Sequence, residues 1–484
     1  MINVNTKIHD KFSIEFKVGF AGSENDKLND FSVNTWIFVP YSLDINRSTY
    51  SKEQFYRDVK SNIRLITPKF SLAEMAIPDS KPVHFLQAAC QRFHFQPSEE
   101  NKAECLFQFR IFAAIFKSAL REACTAILSS TIQTELHTHC RQLIQNLEKI
   151  FEQFRHCNIP TEKEFHHVFT YSDEYISHLA DVQLSKIIYF LSDFPDDEHR
   201  AASTILTNFL LQERAYKTEQ GYSHISEPNA ADNDQLVYRH GLLKKNIESA
   251  LYLRVDTAPD SNAAQEISFS AAAGIAMVIS TLIALPFQKY LGNYPFLIFI
   301  ILVFAYIFKD RLKDFVRYRF AHKLKSKYYD NKTIIHFKDT RIGWIKEGMD
   351  FIDDSKTPKD VMAIRHRDHI ESGIMGERTI LYRKQVHIEN DKLRDHYQYD
   401  FSGINDILRL HIQQFTRKMD NPTIQINTVN AAGDLQQFEA QRLYYFYIVQ
   451  QYVHNEQSEY RGFKITATRN GITECNTYNS QTNK

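Results

Sequence analysis

Between Ile267 and Phe308 the chain carries one charged residue, Lys289. Uncharged runs of this length are rare in water-soluble domains. Residues 267–288 read ISFSAAAGIAMVISTLIALPFQ and residues 290–308 read YLGNYPFLIFIILVFAYIF. A membrane-spanning helix needs about 20 predominantly apolar residues. Both segments meet that length, and Gly292, Asn293 and Pro295 supply turn chemistry near their junction. The sequence therefore predicts a hairpin of two transmembrane helices, with two buried core helices as the competing reading.

The flanks predict an orientation. Lys309, Arg311, Lys313, Arg317, Arg319, Lys323, Lys325 and Lys327 follow the second segment, against only Asp310 and Asp314. Basic residues close to a span stay on the cytoplasmic side. Two spans then put both termini in the cytoplasm, and the expected location is the bacterial inner membrane, as a multi-pass protein. Phe308, Leu312, Val316, Phe320 and Leu324 recur every fourth residue through the basic stretch. That pattern predicts an amphipathic helix lying on anionic lipid headgroups, with Lys309, Arg311, Lys313, Arg317, Arg319 and Lys323 as the lipid-surface contacts. Ala272, Ala276, Ser280 and Ala284 form a small-residue ridge on the first segment. Such ridges let helices approach closely, so these four are the expected transmembrane packing residues.

The remainder predicts several domains, as the 484-residue length suggests. Phe12, Ile14, Phe16, Val18 and Phe20 alternate with polar residues, as in a strand buried on one face. Val33–Val39 and Ile63–Ile66 read as further strands, giving a β-rich N-terminal unit over 1–75. A cytoplasmic α-helical bundle is expected over 76–265. Cys105, Phe109, Phe112, Phe116, Leu120, Ala123 and Ile127 mark one long helix. Ile132, Leu136, Cys140, Leu143, Leu147, Ile150 and Phe154 mark a second, with coiled-coil-like steps of three and four. Thr161 and Glu164 form a capping-box pattern, and two more helices are expected near 197–219 and 234–255. The hairpin and its basic helix occupy 266–328.

A cytoplasmic α+β domain completes the chain over 329–484. Ile380–Ile388, Thr423–Val429 and the run from Arg442 read as strands. Ser402 is positioned to cap a helix carrying Ile404, Ile407, Leu408, His411, Phe415 and Met419. Asn470-Gly471 is a strong hairpin signal.

The segments HRDHIESG (366–373), GINDILRLHIQQF (403–415) and RGFKITATRNGITEC (461–475) give the last third of the chain a resemblance to a family of uncharacterised bacterial membrane proteins. In that family a similar C-terminal region follows a transmembrane hairpin and a basic helix. The resemblance implies a bacterial membrane protein and transfers no activity or site residues.

Composition narrows the function classes. Fifty-eight basic residues balance fifty-eight acidic ones, which argues against nucleic acid as a partner. Five of six cysteines lie between Cys90 and Cys157 without a CxxC pair, as expected of buried free thiols in a reducing compartment. His366-Arg367-Asp368 has the first letters of a kinase catalytic loop. Gly373 replaces the required Asn, and Asp400-Phe401-Ser402 is not the metal-binding triplet. Glu135, His137, His139 and Cys140 are metal-ligand types, yet His139 leaves the face shared by His137 and Cys140. His156-Cys157 and His166-His167 read as exposed helix positions. Asp196, Asp197 and Glu198 suit a first helical turn. No cofactor is expected. The expected function is a membrane-anchored scaffold or signalling protein with cytoplasmic domains for protein partners, a second copy of the chain among them. The alternative is a membrane-tethered enzyme of unrecognised class.

Overall fold

The computed structural model describes residues 2–22, 28–129, 136–157, 159–194, 196–225, 230–290, 295–365, 376–394, 398–455 and 457–483. The chain forms two compact units. One holds Met1–Ile63, Leu253–Leu393 and Gly403–Lys484; the other holds Arg64–Tyr252 and Arg394–Ser402.

The first unit is built from two sheets. Strands β1 (Ile2–Asp10), β2 (Ser13–Ala21), β9 (Gly403–His411) and β4 (Val59–Leu65) form one, in that order. The other has eight strands in the order β14 (Gly471–Asn483), β13 (Gln457–Thr468), β12 (Tyr444–His454), β3 (Leu28–Pro40), β8 (Glu377–Glu389), β7 (Thr340–Ile352), β6 (Asn331–Phe337) and β5 (Arg254–Pro259). A separate hairpin pairs β10 (Thr423–Val429) with β11 (Leu435–Gln441). Ile14 and Phe16 of β2 share one buried cluster with Ile37, Ile380, Leu410, Ile448 and Phe463. Trp36, Phe38, Tyr447 and Val449 face the other way and are covered by Val361 and Ile364 of helix α11 (Lys359–Arg365). At the β13–β14 turn Gly471 has φ +135°, and a side chain there would meet the Lys11 carbonyl, so the Asn-Gly pair serves backbone geometry.

Three expectations change here. The N-terminal strands form no separate β-rich unit: β3 lies between β12 and β8, and β2 pairs with β9. Alternation reveals a strand but says nothing about how far away its partner lies in sequence. Residues 403–411 are a strand rather than a capped helix, because tertiary pairing to β2 overrides a pattern that local spacing leaves ambiguous.

The third correction concerns the membrane. Helices α9 (Asn262–Tyr290) and α10 (Pro295–Lys327) do form a hairpin. Among the described residues, however, no helix is long and apolar enough to cross a membrane. In α10 as described, the uncharged stretch 295–308 rises only roughly 21 Å before Lys309, Asp310 and Arg311, short of the ~30 Å hydrocarbon core. The transmembrane hairpin, and with it the multi-pass inner-membrane location with both termini in the cytoplasm, is not supported. The expected turn residues Gly292 and Asn293 lie outside the described residues.

The second unit is helical: α2 (Leu72–Met75), α3 (Lys81–Phe95), α4 (Glu99–Ser129), α5 (Leu136–Arg155), α6 (Lys163–Ser192), α7 (Asp197–Gln220) and α8 (Ala230–Glu248). Phe112 stacks on Phe154 at 5.0 Å and Phe154 on Phe169 at 5.2 Å, so the apolar faces read from α4 and α5 meet α6. The Thr161–Glu164 box is not made; Glu162 precedes α6 without a side-chain cap. Asp196 does cap α7, accepting a hydrogen bond from the His199 amide at 2.9 Å.

Candidate functional site at the base of the helical hairpin

The α9–α10 hairpin grows out of a β-hairpin. Strands β5 and β6 pair antiparallel, ending at Pro259 opposite Asn331, so the helices leave and re-enter the sheet at one point. Two aspartates hold that point. Asp260 takes an ion pair from Lys346 at 3.0 Å and a hydrogen bond from the Tyr329 amide at 3.3 Å. Asp330 takes Lys52 of helix α1 (Lys52–Asp58) at 2.7 Å, the Tyr56 hydroxyl of the same helix at 3.0 Å and the Met349 amide at 2.8 Å. Lys52 also reaches Asp350 at 3.4 Å, which pairs with Arg383 at 3.2 Å. Arg383 in turn lies over the Tyr329 ring at 5.4 Å. Beside this stem is a cleft of about 450 Å³ lined by Lys52, Glu53, Tyr56, Ser261, Tyr328, Tyr329, Asp330 and Asn331.

A second network lies deeper. Lys384 of β8 is 2 % exposed and bonds Asp406 of β9, also 2 % exposed. Glu347 lies 2.9 Å from the same ammonium and accepts a hydrogen bond from the Tyr382 hydroxyl. Ser61 donates to Asp406 at 2.5 Å, and its hydroxyl lies 3.5 Å from Lys384 Nζ. Burial opposes charge on Lys384, but Asp406 and Glu347 outweigh it and hold the ammonium above the ordinary lysine range. Burial likewise works against ionised Glu347, yet Lys384 and Tyr382 keep its carboxyl low. Burial and then Asp330 push the Tyr56 phenol up.

These charges decide the chemistry. A lysine serves as a nucleophile or as a base toward a serine only when neutral. Lys384 is held protonated, so the Ser61–Lys384–Asp406 grouping lacks an activated nucleophile. The tyrosines are held protonated as donors. The cleft can offer hydrogen bonds and aromatic faces, and Asp260, Asp330 and Asp350 around it already have cationic partners.

A separate ionic hub occupies the helical unit. Arg155 bonds Glu213 through both terminal nitrogens at 2.9 Å and Asp173 at 3.0 Å. Tyr216 and Tyr222 donate to Asp173 at 2.7 and 2.9 Å, and Ser177 donates to Glu213 at 2.8 Å. The fixed guanidinium fills the position a metal would need between these carboxylates.

The residues singled out from sequence are placed as follows. Ala272 and Ala276 are fully buried, and Ser280 donates to the Ala305 carbonyl at 3.2 Å; the Ala284 side chain lies outside the described residues. Lys309 folds over the Tyr306 ring at 4.2 Å and Arg319 over Phe315 at 5.3 Å. Lys313 meets Asp310 at 3.8 Å, and Arg311 is exposed. The side chains of Arg317 and Lys323 lie outside the described residues, as do Glu135 and His366-Arg367-Asp368. His137 is half-buried, His139 exposed and Cys140 buried. Among the described residues no group of three His, Cys, Asp or Glu side chains is arranged to hold a metal ion. His156, His166 and His167 are exposed, Cys157 is buried, and Phe401 is buried while Asp400 is exposed.

Sequence reading missed Asp260, Asp330, Glu347 and Asp406. The available signal was Lys384, a cation on the inward face of an otherwise apolar alternation. Comparison with known families, curated proteins and solved structures finds no match to this chain.

Proposed function

We propose that the chain is a non-enzymatic scaffold whose α9–α10 hairpin is a docking arm for protein partners. The observation that carries this reading is the arm's exposed apolar surface. Met277, Leu282, Phe299 and Phe304 are each more than 60 % exposed, while the small residues between the two helices are buried. Large exposed apolar patches mark interaction sites. The ion pairs on Asp260 and Asp330 support it by fixing the arm where it joins the sheet. The enzyme alternative lacks comparable support, because Asp406 and Glu347 hold Lys384 protonated.

The test is a photo-crosslinking amino acid introduced singly at Met277, Phe304 and, as a control, Tyr189, which is 76 % exposed. Discrete protein adducts from the two arm positions and none from the control are expected. A further variant joins Ser261 to Tyr328 by a short turn; it should keep its sheet and lose the adducts. Equal labelling at all three positions would reject the arm as the docking element. Hairpin-dependent capture by anionic vesicles without protein adducts would replace the protein partner with lipid headgroups.

A further inference from the structure

Three cysteines far apart in sequence meet inside the helical unit. Cys90 lies on α3, Cys105 on α4, and Cys157 just beyond α5. The Cys90 and Cys105 sulfurs are 3.1 Å apart, and Cys90 is also in thiol–thiol contact with Cys157. All three are free and buried, at 2 %, 0 % and 6 % exposure. Cys124 and Cys140 lie near each other but are not part of this contact. Cys90 is thus the one sulfur shared by two neighbours.

We propose that this cluster is an oxidative modification site for hydroperoxides, in which Cys90 is the resolving thiol for either neighbour. The chemistry needs one molecule of hydrogen peroxide. A thiolate of Cys105 or Cys157 attacks a peroxide oxygen, the O–O bond breaks, and the departing hydroxide takes up a proton as water. The sulfur is left as a sulfenic acid. The Cys90 thiolate then attacks that sulfur, the S–O bond breaks, and a second water leaves. Two thiols lose one electron each and the peroxide gains two. The resulting bond ties α3 to α4, or α3 to the end of α5. A covalent S–S bond needs about 2.05 Å between the sulfurs, an approach of roughly 1 Å from the observed contact. With Cys105 oxidised, Cys157 remains a thiol beside the new disulfide and can exchange with it, because thiol–disulfide exchange requires only such proximity.

Burial sets the rate. Thiolate is the attacking species. The Cys90 contact and then burial raise the Cys157 thiol, and the Cys105 contact, with burial and against an opposing pull from Cys157, raises Cys90. Oxidation is therefore slow at neutral pH and accelerates by about tenfold per pH unit up to the thiol pKa. Once the first sulfur is oxidised, capture is intramolecular and outruns further oxidation.

The experiment treats the full chain with hydrogen peroxide under native conditions, alkylates the remaining thiols and maps linked peptides by mass spectrometry. Cys90 linked to Cys105 or to Cys157 is expected. Cys105→Ser should retain only the Cys90–Cys157 link, and Cys157→Ser only the Cys90–Cys105 link. Cys90→Ser should form neither link, and its oxidised sulfur should run on to sulfinic acid. The proposal is overturned if the native chain forms no Cys90 disulfide while the urea-unfolded chain does. It is equally overturned if Cys90→Ser joins Cys105 to Cys157 at the wild-type rate. Should Cys90→Ser fail to fold, absence of a Cys90 link from both other variants overturns it.

Discussion

Lys384 and Asp406 form a buried ion pair between strands of different sheets, β8 in the eight-stranded sheet and β9 in the four-stranded one. Removing one partner of such a pair leaves an uncompensated charge in the core. Lys384→Met strands both Asp406 and Glu347 and should cost about 3–5 kcal/mol. Trp36 on β3 and Trp344 on β7 are the only two tryptophans, and both belong to this unit. Urea titration followed by tryptophan fluorescence therefore reports its unfolding directly. A midpoint within experimental error of the wild type would show that the pair contributes nothing.

Much of the local structure was legible in the sequence, and its reasons are specific. Residues 380–388 alternate because β8 is covered on the face that carries Ile380, Tyr382, Lys384 and Val386. The faces of α4 and α5 were readable because Phe109, Phe112 and Phe154 recur at helical spacing. Long-range pairing was not legible: nothing local to Val33–Val39 indicates that β12, more than four hundred residues later, lies beside it. The candidate site was hidden for the same reason, since Asp260, Asp330 and Lys52 come from three separate segments. The membrane expectation failed where charge returns. Within the described α10 the uncharged stretch runs only from Pro295 to Phe308 before Lys309, Asp310 and Arg311.

Arg155 makes three bonds to Asp173 and Glu213, both nearly fully buried. Arg155→Met leaves two carboxylates facing one another in the helical core, with an expected loss of about 3–5 kcal/mol. Arg155→Lys keeps the charge but loses the planar fork, so it should recover only part of that loss. Amide hydrogen exchange resolves this unit, which holds neither tryptophan. Faster exchange should appear in α5, α6 and α7 together. Exchange unchanged in α7 would mean that Glu213 finds another partner.

Stability of the helical unit should fall as pH falls below the ordinary histidine range. His178 and His240 stack at 3.3 Å between α6 and α8. Burial, then His240 and Lys217, lower His178 to about 3; burial first, with Lys217 and Arg239, lowers His240 against an opposing pull from Glu174. The unfolded chain binds these protons near pH 6.5 and the folded chain does not, so protonation favours unfolding. The stability is fully present above about pH 6.5 and is lost progressively as pH drops toward the folded value. At pH 5 the His178 contribution is at most about 2 kcal/mol, reduced by its partial exposure. His178→Gln should flatten the decline between pH 6.5 and 5 relative to wild type. The same slope in both proteins would assign the acid sensitivity elsewhere.

The arm's two helices should separate when their small contact residues are enlarged. Ala272 and Ala276 have no exposed surface, Ala305 is 6 % exposed, and Ser280 donates across to the Ala305 carbonyl. Leucine at Ala276 must displace the facing helix or take a poor rotamer, at a cost of about 1–3 kcal/mol. Ser280→Ala removes one hydrogen bond while keeping the volume, so it should cost only about 1 kcal/mol. The ordering of the two effects separates steric contact from hydrogen bonding as the source of the pairing. Cysteines introduced at Ala276 and Ala305 report helix proximity through disulfide formation, with Ser280→Ala and Ala272→Leu as the test backgrounds. Cross-linking should survive Ser280→Ala and drop sharply with Ala272→Leu. Equal cross-linking in both backgrounds would mean that the buried alanines do not set the distance between α9 and α10. A hairpin loosened in this way should also lose the photo-adducts expected at Met277 and Phe304, because the docking surface spans both helices.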